Sequence, residues 1–287
     1  LRFGAHLSIG KGWTSMAGTA REEGMETVQV FSRSPRGGAA KPIDPKEAAR
    51  MQRELEDGGV TPLVVHVPYF VNLATDVPNN REYTLETLAL DLVRAGTLGS
   101  PFVVTHLGSS PGDRDEALER VATAVAAVLE ASLKADPAAE GVALLLENSG
   151  GGGGDVGGSL GEIATVMRAV GSGNVGRLGV CLDTCHALVA GYDLRGRAGL
   201  RTFLDEVEGV IGLARVKVLH LNDSLGELGS HRDRHAAIGQ GHVGLESFRA
   251  LVAEPQLADR PGLLETPDEG RLADLERLKA MRDEMGR

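Results

Sequence analysis

The sequence predicts an α/β protein built as a (β/α)8 TIM barrel, with a metal site at the C-terminal ends of its strands. Three observations point there. Strand-like apolar runs alternate with amphipathic helical stretches from one end of the chain to the other. Eight such runs occur, each followed by a helical stretch, which suggests a closed parallel barrel rather than an open sheet. Six of the eight carry, at or near their ends, a His, Asp or Glu two residues after an apolar or Cys residue, and in a barrel those ends form the active-site mouth.

The first run, residues 2–6, reads Arg-Phe-Gly-Ala-His, and the second, 27–31, reads Thr-Val-Gln-Val-Phe. No G-x-G-x-x-G follows the first, so a doubly wound dinucleotide-binding sheet finds no support. The third, 63–66, is Leu-Val-Val-His and precedes a helical pattern over 83–98. The fourth, 102–106, precedes 115–133, an Ala-, Leu- and Val-rich stretch with its charges on one face. The fifth, 143–148, runs into glycines at 150–154. They lack the Lys of a phosphate loop and read as a flexible loop at the mouth. The sixth and seventh cover 179–183 and 216–222, and the eighth, 262–265, leads to a last helix at 272–285. No repeat, heptad or linker interrupts the series, so 1–287 reads as one barrel domain, an ordinary size for this fold.

Apolar content of 42 % and charged content of 24 % are those of a soluble globular protein. No stretch approaches the ~20 apolar residues that span a bilayer, so no membrane partner is expected. Leu1-Arg2-Phe3-Gly4-Ala5-His6 shows no basic segment followed by an apolar run, so no signal peptide is expected. Two cysteines are too few for a disulfide framework, which favours the cytoplasm. The net charge of −10 by itself argues against a general nucleic-acid clamp.

Strand parity carries the functional information. In Gly179-Val180-Cys181-Leu182-Asp183, Cys181 and Asp183 share one face. The same alternation pairs Val64 with His66, Val104 with His106, Leu145 with Glu147, Val218 with His220 and Leu263 with Glu265. In a barrel that face is the interior. Burying three imidazoles and three carboxylates together is very costly without compensation, and metal ions are the simplest compensation. This donor set suits zinc, manganese or iron; without a thiolate cluster it does not read as a zinc ribbon. One strand-end His is usually a hydrogen-bonded core or loop residue, and one strand-end carboxylate is often a helix cap. Six at once point to a site.

Three loop residues join the candidates: His186, three beyond Asp183, and Asp233 and His235, which flank Arg234. A D-x-H pair can chelate one metal. His6, His231 and His242 receive no ligand role; His6 reads equally as support for the site and as a simple hydrogen-bonded residue. Cys181 reads as a small buried hydrophobe, and Cys185 is left open.

Gly179-Val180-Cys181-Leu182-Asp183-Thr184-Cys185-His186 resembles the most recognisable signature of the endonuclease IV family, also called AP endonuclease family 2. His66-Val67-Pro68-Tyr69-Phe70-Val71-Asn72-Leu73-Ala74 is similar to its H-x-x-Y-x-x-N-L segment, and Leu146-Glu147-Asn148 to its L-E-N segment. His220-Leu221-Asn222-Asp223-Ser224, Asp233-Arg234-His235 and Ile238-Gly239-Gln240-Gly241 resemble its late signature, and Leu264-Glu265-Thr266-Pro267 closes the series. Some positions depart from the pattern. Leu107 and Ser110 stand in an H-P-G-S-H segment, Gly38 where a Trp is usual, Gly152 where a Gln is usual, and Gln240 where Glu is common. None is a ligand position.

The resemblance implies three zinc ions per chain, with manganese in partial occupancy. His66, His106 and Glu147 would hold one. Glu147, Asp183, His220 and Glu265 would hold a second, bridged by Glu147 as the central catalytic residue. His186, Asp233 and His235 would hold the third. It implies a monomer that hydrolyses the phosphodiester 5′ to an abasic site in duplex DNA in base excision repair, leaving a 3′-hydroxyl, with 3′-blocked ends as further substrates. Arg36 and Arg234 would contact phosphates, and one or both of Tyr69 and Phe70 would enter the duplex where a base is missing, the alternative being that both pack against neighbouring loops. Three dications would raise the formal charge from −10 to −4. The rival is a sugar isomerase or epimerase on the same type of barrel, which gathers similar residues around one or two metals but generally lacks the third group. A DNA-binding protein without catalysis would need a broken ligand set.

Overall fold

The computed structural model describes residues 1–266 and 268–285. Pro267, the last residue of the final motif, lies outside them. The first half of the chain runs β1 (Arg2–Leu7), α1 (Trp13–Glu22), β2 (Thr27–Phe31), α2 (Pro45–Asp57), β3 (Leu63–His66), α3 (Pro78–Thr97), β4 (Phe102–His106) and α4 (Arg114–Ala135). Then come β5 (Ala143–Glu147), α5 (Leu160–Val170), β6 (Leu178–Asp183), the short α6 (Thr184–Ala190), α7 (Gly196–Val210) and β7 (Val216–His220). A two-stranded ribbon of β8 (Asp223–Ser224) and β9 (His235–Ala236) precedes α8 (Leu245–Val252), β10 (Pro261–Leu264) and α9 (Asp268–Met285). Strands β1 to β7 pair in order, and β10 closes the barrel between β7 and β1. Every barrel pairing is parallel. The expected (β/α)8 barrel is therefore present.

Helix starts follow local chemistry. Asp113 caps α4 by accepting from the N–H groups of Asp115 and Glu116. Asp44 caps α2 ahead of Pro45. Pro78 lets α3 begin five residues before the periodic pattern at 83. Parity builds two apolar layers. Val64, Val104, Leu145, Cys181, Val218 and Leu263 fill the barrel interior. Alternate residues such as Val65, Leu144, Leu182 and Leu219 join the core that includes Leu92, Val125 and Ile163 of the helices. Each such side chain fully buried contributes roughly 1.5–3 kcal/mol. At Gly4 the barrel closes tightly: a Cβ there would sit 1.8 Å from the Thr27 carbonyl oxygen.

Three strands end earlier than the sequence suggests, the eighth at Leu264 rather than at Glu265. The fifth stops at Glu147 and the seventh at His220. Asn148 and Asn222 leave the ladder because their side chains take over backbone pairing. Asn148 donates to the Asp183 carbonyl and accepts from the Asp183 N–H. Asn222 accepts from the Glu265 N–H. The glycine loop also differs from the slack segment expected. It lies at the mouth but is tied down: Ser110 N–H donates to the Gly154 carbonyl, and the Gly150 carbonyl lies 2.8 Å from His231 Nδ1.

Candidate metal centre

One step along each strand from the interior apolar layer stand His66, His106, Glu147, Asp183, His220 and Glu265. Glu147, Asp183 and His220 are wholly buried. Glu147 lies at the middle. Its Oε2 is 3.1 Å from His66 Nε2 and 3.5 Å from His106 Nε2, while Oε1 is 2.8 Å from His220 Nδ1. One carboxylate thus faces two sets of donors. His220 Nδ1 also lies 3.3 Å from Glu265 Oε2 and 3.9 Å from Asp183 Oδ2.

The remaining candidates arrive on two further devices. Asp183 ends β6 and caps α6, its Oδ1 accepting from His186 N–H at 2.7 Å. The cap fixes where His186 emerges. The β8–β9 ribbon brings in the segment carrying Asp233 and His235. Asp233 Oδ2 is 3.3 Å from His186 Nε2, and Oδ1 is 3.2 Å from His235 Nε2. All nine expected ligand positions therefore converge on one region of the mouth. Cys185, left open by the sequence, is buried with its sulfur 3.9 Å from Asp233 Oδ1.

The charges interlock. Burial works against ionising Glu147, but His106 and His220 outweigh it and hold the carboxyl well below its usual range. Burial opposes ionisation of Glu265 as well, and His220 brings it down to about 2. Asp233 is depressed too, with His186 and His235 overcoming its burial. Burial would lower His186, His220 and His235, yet carboxylates prevail at His186 and His235, and Cys181 together with Glu265 and Glu147 prevails at His220. His186 and His220 are held well above the ordinary imidazole value and His235 is raised to about 9. His106 goes the other way, lowered mainly by burial against the pull of Glu147. Burial pushes both thiols up to about 12, consistent with the apolar reading of Cys181.

These residues fit divalent metals. Among the described residues, His66/His106/Glu147 and Glu147/Asp183/His220/Glu265 each place their donor atoms within 4.8 Å of one another. So do Asp183/His186/His235 and Cys185/Asp233/His235. His235 Nε2 is buried without a well-aligned hydrogen bond and lies 3.2 Å from Asp233 Oδ1, a placement that a cation shared by the two would satisfy. The other ring nitrogen of His66 lies 2.7 Å from the Val67 carbonyl, and that of His186 2.9 Å from the Asn148 carbonyl. Such contacts direct the opposite nitrogen toward a metal.

Sequence reading missed several supporting residues. Gln29 on β2 is wholly buried and touches His6, His220 and Glu265. A polar residue between the buried Val28 and Val30 was the available signal. His6, left undecided, joins the site through that amide. Asn222 donates to Asp183 Oδ2 at 2.6 Å.

The expected DNA contacts divide. Tyr69 is 72 % exposed and stands over the centre, 6.2 Å from the His66 ring and 6.4 Å from that of His106. Phe70 instead packs against the core and stacks on Tyr83 at 5.4 Å. Arg36 is exposed beside a groove shared with Arg33 and Lys41. Arg234 is exposed, with its guanidinium donating to the Asp233 carbonyl. Tyr69, Asn72, His106, Ser109, His186 and Asp233 are among the residues lining a cleft at the mouth.

A family model described as "Xylose isomerase-like TIM barrel", the AP endonuclease 2 family, matches residues 18–286. A protein of Chloroflexus aurantiacus named "Probable endonuclease 4" is 41 % identical over 271 residues, 93 % of this chain and 91 % of its own. The crystal structure of endonuclease IV from Thermus thermophilus is 36 % identical and superposes with a TM-score of 0.86, covering 99 % of this chain and 100 % of that one. A D-tagatose 3-epimerase-like protein superposes at 0.75 over 100 % of both chains with 19 % identity, a likeness of fold alone.

Proposed function

Because the chain belongs to the endonuclease IV family of xylose isomerase-like TIM barrels, we propose that it hydrolyses the DNA phosphodiester 5′ to an abasic site and leaves a 3′-hydroxyl. It is a nuclease whose substrate is DNA, with a site rich in metal-binding side chains. The finer reading assigns it zinc, with manganese in partial occupancy, and duplex DNA carrying abasic or 3′-blocked lesions. It works as a monomeric, single-domain enzyme of the cytoplasm. Among the described residues no helix is long and apolar enough to cross a membrane.

His66, His106 and Glu147 would hold one zinc, Glu147, Asp183, His220 and Glu265 a second, and His186, Asp233 and His235 a third. Bound there, the ions supply positive charge to a phosphodiester and lower the pKa of water. The chain supplies the rest. Glu147 spans both sets of donors and keeps them in register. Tyr69, exposed above the centre, fills the gap left by a missing base, where aromatic stacking is worth ~1–3 kcal/mol. Arg36 and Arg234 contact flanking phosphates and hold the duplex against the mouth.

The convergence of nine donor side chains, Glu147 among them, at the mouth carries this reading. It is tested with a duplex containing one abasic site, with and without chelator. Incision should occur 5′ to the lesion, stop with chelator and return with zinc. Failure of the zinc-replete protein to incise, or cleavage indifferent to chelator, would overturn it.

A further inference from the structure

His66 and His186 are oriented by backbone carbonyls, which substitution does not remove. His220 differs. Its Nδ1 faces Glu147, Glu265 and Asp183, while its Nε2 lies 2.9 Å from Oε1 of Gln29. The orientation of that amide follows from its other neighbours. Gln29 Nε2 lies 2.7 Å from Glu265 Oε1 and 3.1 Å from His6 Nδ1. An ionised carboxylate only accepts, so the nitrogen end of Gln29 must face Glu265. The oxygen end then faces His220, whose Nε2 must carry the proton. One buried amide fixes two things at once: the lone pair of His220 is directed from Nδ1 into the donor group, and Glu265 Oε1 is engaged so that Oε2 remains toward the same point.

We propose that Gln29, which lies outside the nine donors, is the positioning residue that makes Glu147, Asp183, His220 and Glu265 a competent metal site. This rests on the metal reading above, where His220 and Glu265 are ligands. A hydrogen-bond partner of this kind typically changes metal affinity by roughly 10–100-fold when removed. Gln29→Leu removes both contacts. Gln29→Glu keeps an acceptor for His220 but sets a second carboxylate against Glu265, so it disturbs the Glu265 contact alone.

The test is zinc binding by competition with a chromophoric chelator, read independently of DNA cleavage. The wild-type chain should bind zinc at the four-donor group. Gln29→Leu should weaken one zinc equivalent by about 10–100-fold and leave the His186/Asp233/His235 equivalent unchanged. Gln29→Glu should weaken the same equivalent. A second measurement needs no variant. In 15N-labelled, zinc-loaded wild-type protein the His220 imidazole should carry its proton on Nε2. A proton on Nδ1, or wild-type zinc affinity in Gln29→Leu, overturns the proposal. Wild-type protein that binds no zinc overturns the metal reading along with it, whereas normal wild-type binding with an unaffected variant sinks the role of Gln29 alone.

Discussion

Glu147 turns one oxygen toward His66 and His106 and the other toward His220. Glu147→Gln keeps its shape and removes its charge. Incision should fall by at least about 100-fold, on the scale of losing one preorganised electrostatic contact. The circular dichroism spectrum and abasic-duplex binding should stay near wild type. Near-normal turnover in the metal-replete variant would refute its central role. Residues such as Glu147 were legible beforehand because strand parity is a strict rule: each lies two positions beyond a residue of the interior apolar layer. Gln29, Asn148 and Asn222 were not. Their value lies in partners distant in sequence, 191 residues away for the Gln29–His220 pair, and an amide within a strand or just beyond one does not reveal its partners until the barrel closes.

The loop after β3 holds two adjacent aromatics with different surroundings. Tyr69 is open above the centre, whereas Phe70 stacks on Tyr83 and leans on the core. The single changes should therefore part company. Tyr69→Ala should depress incision of an abasic duplex by about ten-fold, matching the loss of one stacking contact of ~1–3 kcal/mol, with the melting temperature unchanged. Phe70→Ala should cost about 1–3 kcal/mol of stability, the value of a largely buried aromatic, seen in urea denaturation. Equal stability losses in both would mean that Tyr69 is a packing residue. The β8–β9 ribbon gives a parallel case. His235→Ala should lower bound zinc by about one equivalent and reduce incision, and unchanged metal content would disprove the third group. The periodic pattern revealed strands and long helices, but it could not reveal this ribbon. Two residues per strand are too few for a period, and the ribbon is held by pairing between β8 and β9 across the intervening loop.

Across the molecule the net charge is −10, so the proposed reading requires bound cations and the exposed Arg36 and Arg234 to supply attraction to DNA. The protonation of the centre gives a test on the whole fold. Glu265, at about 2 when folded against an ordinary 4.5, adds stability above pH 4.5 that is lost as pH falls toward 2. His235, raised from 6.5 to about 9, adds stability below pH 6.5 that is lost as pH rises through 9. Metal-free protein should therefore melt highest between about pH 4.5 and 6.5. Zinc displaces imidazole protons, so its stabilising effect should grow as pH rises. Thermal melts of both forms from about pH 3 to about pH 10 check this, and curves of the same shape would contradict it. Asp183 adds a consequence of a different kind. Its Oδ1 starts α6 and its Oδ2 faces the metal-binding side chains. A cation held there as proposed would be gripped by a carboxylate that the first turn of α6 keeps from rotating, and that turn also carries His186. Such an ion should leave slowly even where its equilibrium affinity is modest.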